Sequence, residues 1–195
     1  MPSRAHRLPH GVLVVALTTL VVLALAAVLV GTIGADLMIR SRVLAVASPG
    51  VVAVMRVVNV IGDWRFLLPA SLLLLAVFDH ARRTWWVWIA LMVAAPLAEG
   101  ILKITVGRPR PEAASYGFPS GHATAVAAYF GAVLYLSESL RPGTRRAVRV
   151  LAVVTMLLVG VARIMLRAHW PSDVLGGYAL GLALASAATV VASRR

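Results

Sequence analysis

Ten side chains in two polar stretches carry the chemistry this sequence offers. The first stretch, 103–122, holds Lys103, Arg108, Arg110, Glu112, Ser120 and His122; the second, 163–173, holds Arg163, Arg167, His169 and Asp173. Five cations against two carboxylates leave a formal +3 before histidine is counted. Charges beside a low-dielectric slab are costly unless compensated, so this set needs an anionic partner, and a phosphate group fits it. Pro119-Ser120-Gly121-His122 stands where the polar stretch turns apolar. Ser120 is therefore placed to N-cap a helix, with its hydroxyl and the first backbone N–H groups able to face an anion. Gly121 lets the backbone approach closely. In the second stretch, Asp173 follows His169 by four residues and can accept a hydrogen bond from its Nδ1–H. That contact fixes the tautomer and leaves Nε2 free to attack.

The elements that must position these groups are apolar. The chain has 195 residues, 61% of them apolar, or about 119 positions, and six membrane spans of about 20 residues need about 120. Charged residues make up 13%, about half the share in a soluble domain, and the mean hydropathy is +0.89. Disordered chains and water-soluble globules are thereby excluded. With no cysteine, disulfide frameworks, Cys-ligated metals and thiol nucleophiles are excluded as well. The 19 basic residues against 7 acidic ones fall in short clusters between apolar runs. That distribution suits anionic lipid and orientation in a bilayer rather than nucleic acid.

The reading is all-α: a single membrane domain over 1–195, a polytopic bundle with six transmembrane helices behind a cytoplasmic tail at 1–10. Span one is 11–33, too long for a signal-peptide core. Residues 35–65, interrupted by Arg40, Arg42, Arg56 and the Ser48-Pro49-Gly50 breaker, are expected at the membrane surface. Span two starts near Gly62 and ends at Phe78. Span three, 84–102, opens on Trp85, Trp86 and Trp88 as an interfacial aromatic belt. Spans four, five and six follow at 121–137, 147–166 and 174–192, the last closed by Arg194-Arg195. Six spans put both termini on one side. That side carries ten of the Lys and Arg residues and the other nine, which orients both termini to the cytoplasm. Whatever the orientation, two spans separate the polar stretches, so they share a membrane face and can form one site.

Three motifs make the chain resemble the type 2 phosphatidic acid phosphatase family, integral-membrane lipid phosphatases that share an active-site design with vanadium haloperoxidases. Lys103 through Arg110-Pro111 matches Lys, six residues, Arg-Pro; residues 119–122 match Pro-Ser-Gly-His; Arg163, His169 and Asp173 match the third motif. The resemblance covers about 62–192, the expected phosphatase core. Ala162 stands where the family usually has serine. Arg108-Pro109 is a second Arg-Pro pair two residues short of the spacing, so the phosphate contact falls to Arg110.

The resemblance implies His169 as nucleophile, Asp173 orienting it, and His122 as acid and then base. It implies Lys103, Arg110, Ser120, Gly121 and Arg163 as phosphate-binding residues, with no metal and no cofactor. One histidine must start neutral and the other protonated, so a bell-shaped pH–rate profile is expected. The expected substrate is a lipid phosphate at the extracytoplasmic face of the inner (plasma) membrane. Polyprenyl diphosphate leads, with phosphatidic acid or phosphatidylglycerophosphate as alternatives, and membrane lipids are the expected surroundings, with no nucleic-acid partner. Other readings must be weighed. Each histidine taken singly could be a solvated flank residue and Arg163 a snorkelling one. Glu99, inside an apolar run, is expected to pair with Lys103 one turn on, and His80 and Glu138 are expected to be solvated. An anion or lipid transporter could use the same cations, but the chain shows no paired repeat. The sequence gives no oligomeric state.

Overall fold

The computed structural model describes residues 4–193. Arg194-Arg195 and the first three residues of the expected tail lie outside the described residues. Helix α1 is Arg4–Leu29, so the tail is helical from Arg4 on. It stops short of the expected end of span one because Gly31 turns the chain at φ +73°. The mixed segment forms α2 (Gly34–Ala45) and α3 (Pro49–Val60), bent by 116° at the break. Ser48 makes that break definite: Pro49 takes the first helical position, and the Ser48 Oγ accepts from Val51 N–H at 3.3 Å.

Next come α4 (Trp64–Val77), α5 (Asp79–Arg83) and α6 (Trp85–Val106). The sequence ended this span at 102, yet the helix runs one turn further because nothing in Lys103–Val106 opposes it. Gly107, at φ +63°, closes α6 with its N–H on Lys103 O at 3.0 Å, so Lys103 belongs to the last helical turn. Trp88, expected in the aromatic belt, is 3% exposed and donates its indole N–H to Thr84 Oγ1 at 3.1 Å, while Trp85 is 56% exposed. The remaining helices are α7 (Gly121–Leu136), α8 (Pro142–Met165) and α9 (Pro171–Ala192). Both α8 and α9 begin earlier than expected, on a proline in the first turn.

The described residues form an all-helical bundle, with one isolated bridge, Pro109 to Tyr116, as their extended pairing. Among the described residues, four helices are long and apolar enough to cross a membrane: α1 from Pro9, α6, α8 and α9, with the bent α2–α3 pair a fifth if it counts as one span. At 14 and 16 residues, α4 and α7 reach about 21 and 24 Å, short of the roughly 30 Å of hydrocarbon. The expected six therefore rests on these two. Side chains such as Val14, Leu72, Ile104 and Leu151 are more than 60% exposed, which lipid rather than water tolerates.

The site is positioned by α7 lying against α9. A Cβ on Gly177 would come within 2.6 Å of Ser120 O, and one on Gly131 within 2.8 Å of Ala185 Cβ, so only small residues allow this approach. Tyr135 and Ser186 join the two helices by a 2.9 Å hydroxyl bond, and Tyr129 OH donates to Ala70 O of α4 at 2.9 Å. On the other side of α9, Phe118, Ala179 and Leu180 pack with Leu20 and Ala27 of α1.

Candidate active site

The two polar stretches meet. Ser120 N–H donates to Asp173 O at 2.9 Å, and the Trp170 indole N–H reaches Pro109 O at 3.3 Å. His169, 1% exposed, stands in the turn before α9 with its Nδ1 3.5 Å from Asp173 Oδ2. Asp173, fully buried in the first turn of α9, also accepts Trp170 N–H on Oδ2 at 2.9 Å. Burial pushes the His169 imidazole down to about 4; Asp173 opposes the fall, and the charges of Arg163 and Arg110 add to it. The ring is therefore neutral at ordinary pH. His122, at the start of α7, is close enough to Arg163, His169, Asp63 and Lys103 for their charges to act on it.

Arg163 is 9% exposed at the end of α8 and donates from Nη1 to Asn59 Oδ1 at 2.7 Å, while its buried Nε has no partner. Ser120 takes the N-cap position of α7 as expected, but its hydroxyl caps nothing: Oγ is buried without a partner. Arg108 Nε and His169 Nδ1 are likewise buried without a hydrogen-bond partner, the latter 3.5 Å from Asp173 Oδ2. A buried donor left open costs about 1–3 kcal/mol, and Ser120 Oγ and Arg163 Nε, neither paired with a carboxylate, mark a place for ligand oxygens. Lys103 pairs with Glu99, as its spacing implied. A Cβ on Gly121 would stand 2.8 Å from Glu99 Oε1, so the glycine lets that carboxylate sit against the start of α7. Ala162 is fully buried in α8.

Arg110, the residue chosen by spacing, is half-buried with its Nε on Tyr116 O at 3.1 Å, and its charge is felt by both His169 and Arg163. Arg108, set aside by the same spacing, is 3% exposed and reaches Asp173 Oδ1 at 2.7 Å from Nη1 and Asp36 Oδ2 at 2.6 Å from Nη2. Asp36 on α2 and Asn59 on α3 are contributors the sequence reading missed. A lone Asp in an apolar context, 1% exposed here, was the available signal for Asp36, because an ionised group is buried only with a partner. Gly62 supports the same wall, since a Cβ there would lie 2.9 Å from His122 Cδ2.

At the mouth, Glu112 is bridged by Arg167 at 3.0 Å and by Arg40, which together hold its carboxyl below the usual range. Arg40 also lies over the Trp170 ring, 5.5 Å from its centroid. A cleft of 460 Å³ opens between α4, α6 and α7, walled by Leu67, Leu68, Met92 and Pro96 and ending on Glu99 and His122. Among the described residues, no three His, Asp or Glu side chains gather as a metal-ligand set.

A membrane bundle whose buried histidine–aspartate couple faces open phosphate-type donors, beside an apolar cleft, defines a lipid phosphatase architecture. The model of the PAP2 superfamily matches residues 84–195, and the chain belongs to that family of membrane lipid phosphatases. It is 32% identical over 161 residues to phosphatidylglycerophosphatase B of Bacillus subtilis strain 168, covering 77% of this chain and 79% of that one. With a lipid A 1-phosphatase of Rhizobium etli it shares 33% identity over 106 residues, 46% of this chain and 42% of the relative. The crystal structure of a transmembrane PAP2-type phosphatidylglycerolphosphate phosphatase from B. subtilis superposes with a TM-score of 0.82 at 27% identity, over 93% of this chain and 96% of that one. LpxE of Aquifex aeolicus shares the fold, with a TM-score of 0.61 at 15% identity over 84% of this chain and 97% of that one. The chain is a multi-pass membrane protein that hydrolyses lipid phosphate esters.

Proposed function

We propose that hydrolysis proceeds through a phosphohistidine intermediate on His169. The Nε2 lone pair attacks phosphorus while the ester P–O bond breaks, and His122 gives its proton to the departing oxygen. Water then attacks phosphorus as it gives a proton to His122; the P–N bond breaks, its electron pair returns to His169 Nε2, and phosphate is released. Asp173 keeps the imidazole in the attacking tautomer and stabilises the positive charge it acquires. Lys103, Arg110, Arg163, the Ser120 hydroxyl and the Gly121 N–H hold the phosphoryl oxygens and the charge that builds up in the transition state. The observation that carries this reading is that Ser120 Oγ and Arg163 Nε are among the buried donors left unpartnered beside a histidine kept neutral by burial.

For the lipid, a phosphomonoester of the phosphatidylglycerophosphate kind has the support of the substrate named in the B. subtilis relative. Polyprenyl diphosphate stands as a second reading, supported by Arg40 and Arg167 at the mouth, which share the single carboxylate of Glu112 and so leave one net positive charge there. In either case the apolar cleft takes the chain and the polar turn takes the head group. We place the site on the extracytoplasmic face of the plasma membrane, with both termini inside and six helices crossing. Purified protein in detergent tests the chemistry. Phosphate release from a panel of these lipids should vanish in His169→Ala and persist in chelator, and acid-quenched wild-type protein should hold an acid-labile phosphoryl group. Undiminished release from His169→Ala would refute the nucleophile.

A further inference from the structure

Asp36 is a charged group at the site that the proposed reaction leaves without a task. It lies on α2, 1% exposed, where an unneeded carboxylate would be expensive to keep. Its contacts are complete. Oδ2 accepts from Arg108 Nη2 at 2.6 Å and from Ser172 Oγ at 2.8 Å, and Oδ1 accepts Ser172 N–H at 2.8 Å. Arg108 uses Nη1 for Ser172 Oγ at 2.6 Å and Asp173 Oδ1 at 2.7 Å. One buried guanidinium is thus shared between two carboxylates, and the second of them faces His169.

We infer that Asp36 is a positioning residue for the His169–Asp173 couple, acting through Arg108; the inference rests on the phosphohistidine reading above. With Asp173 as its single counter-ion, Arg108 would neutralise it and draw its charge away from the imidazole. With Asp36 taking the other arm of the fork, the three groups carry a net −1, and the surplus lies where His169 becomes cationic on phosphorylation. The other charges facing His169 are Arg163 on α8, Arg110 in the loop before α7 and His122 on α7, so Asp173 is the one anion beside it among these groups. Asp36 also accepts from the backbone N–H of Ser172 in the first turn of α9, fixing the helix end from which Asp173 projects. The charge matters during the chemical step rather than in holding phosphate, so its loss should act on kcat and not on KM.

The test compares wild type, Asp36→Asn, Arg108→Gln and the double variant in detergent micelles, following phosphate release with thermal unfolding alongside. Asp36→Asn should lose 10- to 100-fold in kcat with KM within twofold, and Asp36→Glu should recover part of it. If Asp36 works through Arg108, the double variant is no worse than Arg108→Gln alone, because removing the second carboxylate relieves a buried charge that the cation no longer balances. This comparison stands even where Asp36→Asn does not fold. An unchanged kcat in folded Asp36→Asn, equal losses in kcat and 1/KM, or losses that multiply in the double variant would each overturn the inference. A wild type without phosphatase activity, or a His169→Ala variant that keeps it, would instead strike the reading beneath it.

Discussion

Asp173→Asn tests the site most sharply, because every group meeting the carboxylate is a donor once His169 carries its proton on Nδ1. Arg108 Nη1 lies 2.7 Å from Oδ1; Trp170 N–H at 2.9 Å and His169 Nδ1 at 3.5 Å face Oδ2. An amide of the same shape has one accepting and one donating end. Setting the NH2 against Arg108 opposes a donor to a buried cation, at about 3–5 kcal/mol. Setting it toward His169 orphans Trp170 N–H, at about 1–3 kcal/mol. The second orientation wins, and His169 must then accept at Nδ1 and carry its proton on Nε2, which removes the attacking lone pair. By the same wrong-tautomer effect in triad hydrolases, kcat should fall about 10⁴-fold. KM should stay within threefold, since the groups proposed to hold phosphate are untouched. The melting temperature should drop by about 2–4 °C for each kcal/mol lost. Steady-state phosphate release and thermal unfolding of the purified variant measure all three. A folded Asp173→Asn enzyme within tenfold of the wild-type kcat would refute the tautomer argument.

Acid should stop the reaction late. With His169 held at about 4 rather than about 6.5, the proposed nucleophile stays neutral through mild acid, and the acid limb of kcat/KM should lie near pH 4–5; a limb at 6.5 would contradict the burial argument. The same shift makes stability fall as pH drops from about 6.5 towards 4, because the unfolded imidazole binds a proton there and the folded one does not. By full protonation the loss reaches about 3 kcal/mol, visible as a falling melting temperature. At the α7–α9 contact, Gly177→Ala would set its Cβ 2.6 Å from Ser120 O and 2.8 Å from Ala123 Cβ. The helices must part, at about 1–3 kcal/mol or more, and because Ser120 N–H holds Asp173 O, kcat should fall with the melting temperature. Gly143→Ala, with nothing within 4 Å, is the control that should change neither.

Much of the site was legible because its chemistry is local. The His169 to Asp173 spacing places both in and just before the first turn of one helix, and Pro119 to His122 marks the start of another; both follow from short-range geometry. The two Arg-Pro pairs were harder. Arg108 and Arg110 are chemically equivalent in a linear pattern, and what separates them is the turn of the loop, where Gly117 N–H closes on Arg108 O at 2.6 Å and Tyr116 bridges to Pro109. Arg108 is left under the surface and Arg110 at its edge. Ser120 takes the expected N-cap position of α7 but keeps its hydroxyl free. Trp88 looked like its neighbours but faces inward.

The order and polarity of the segments, by themselves, determined that this chain folds in lipid as helices and that two polar stretches separated by two apolar runs face one side. Both are consequences of the cost of bare backbone and bare charge in hydrocarbon. Only the tertiary structure decided which cation serves the histidine–aspartate couple and that Asp36, 72 residues from Arg108 and 136 from Ser172, belongs beside it. Burial and pairing distance arise where distant helices pack, and no spacing along the chain encodes them.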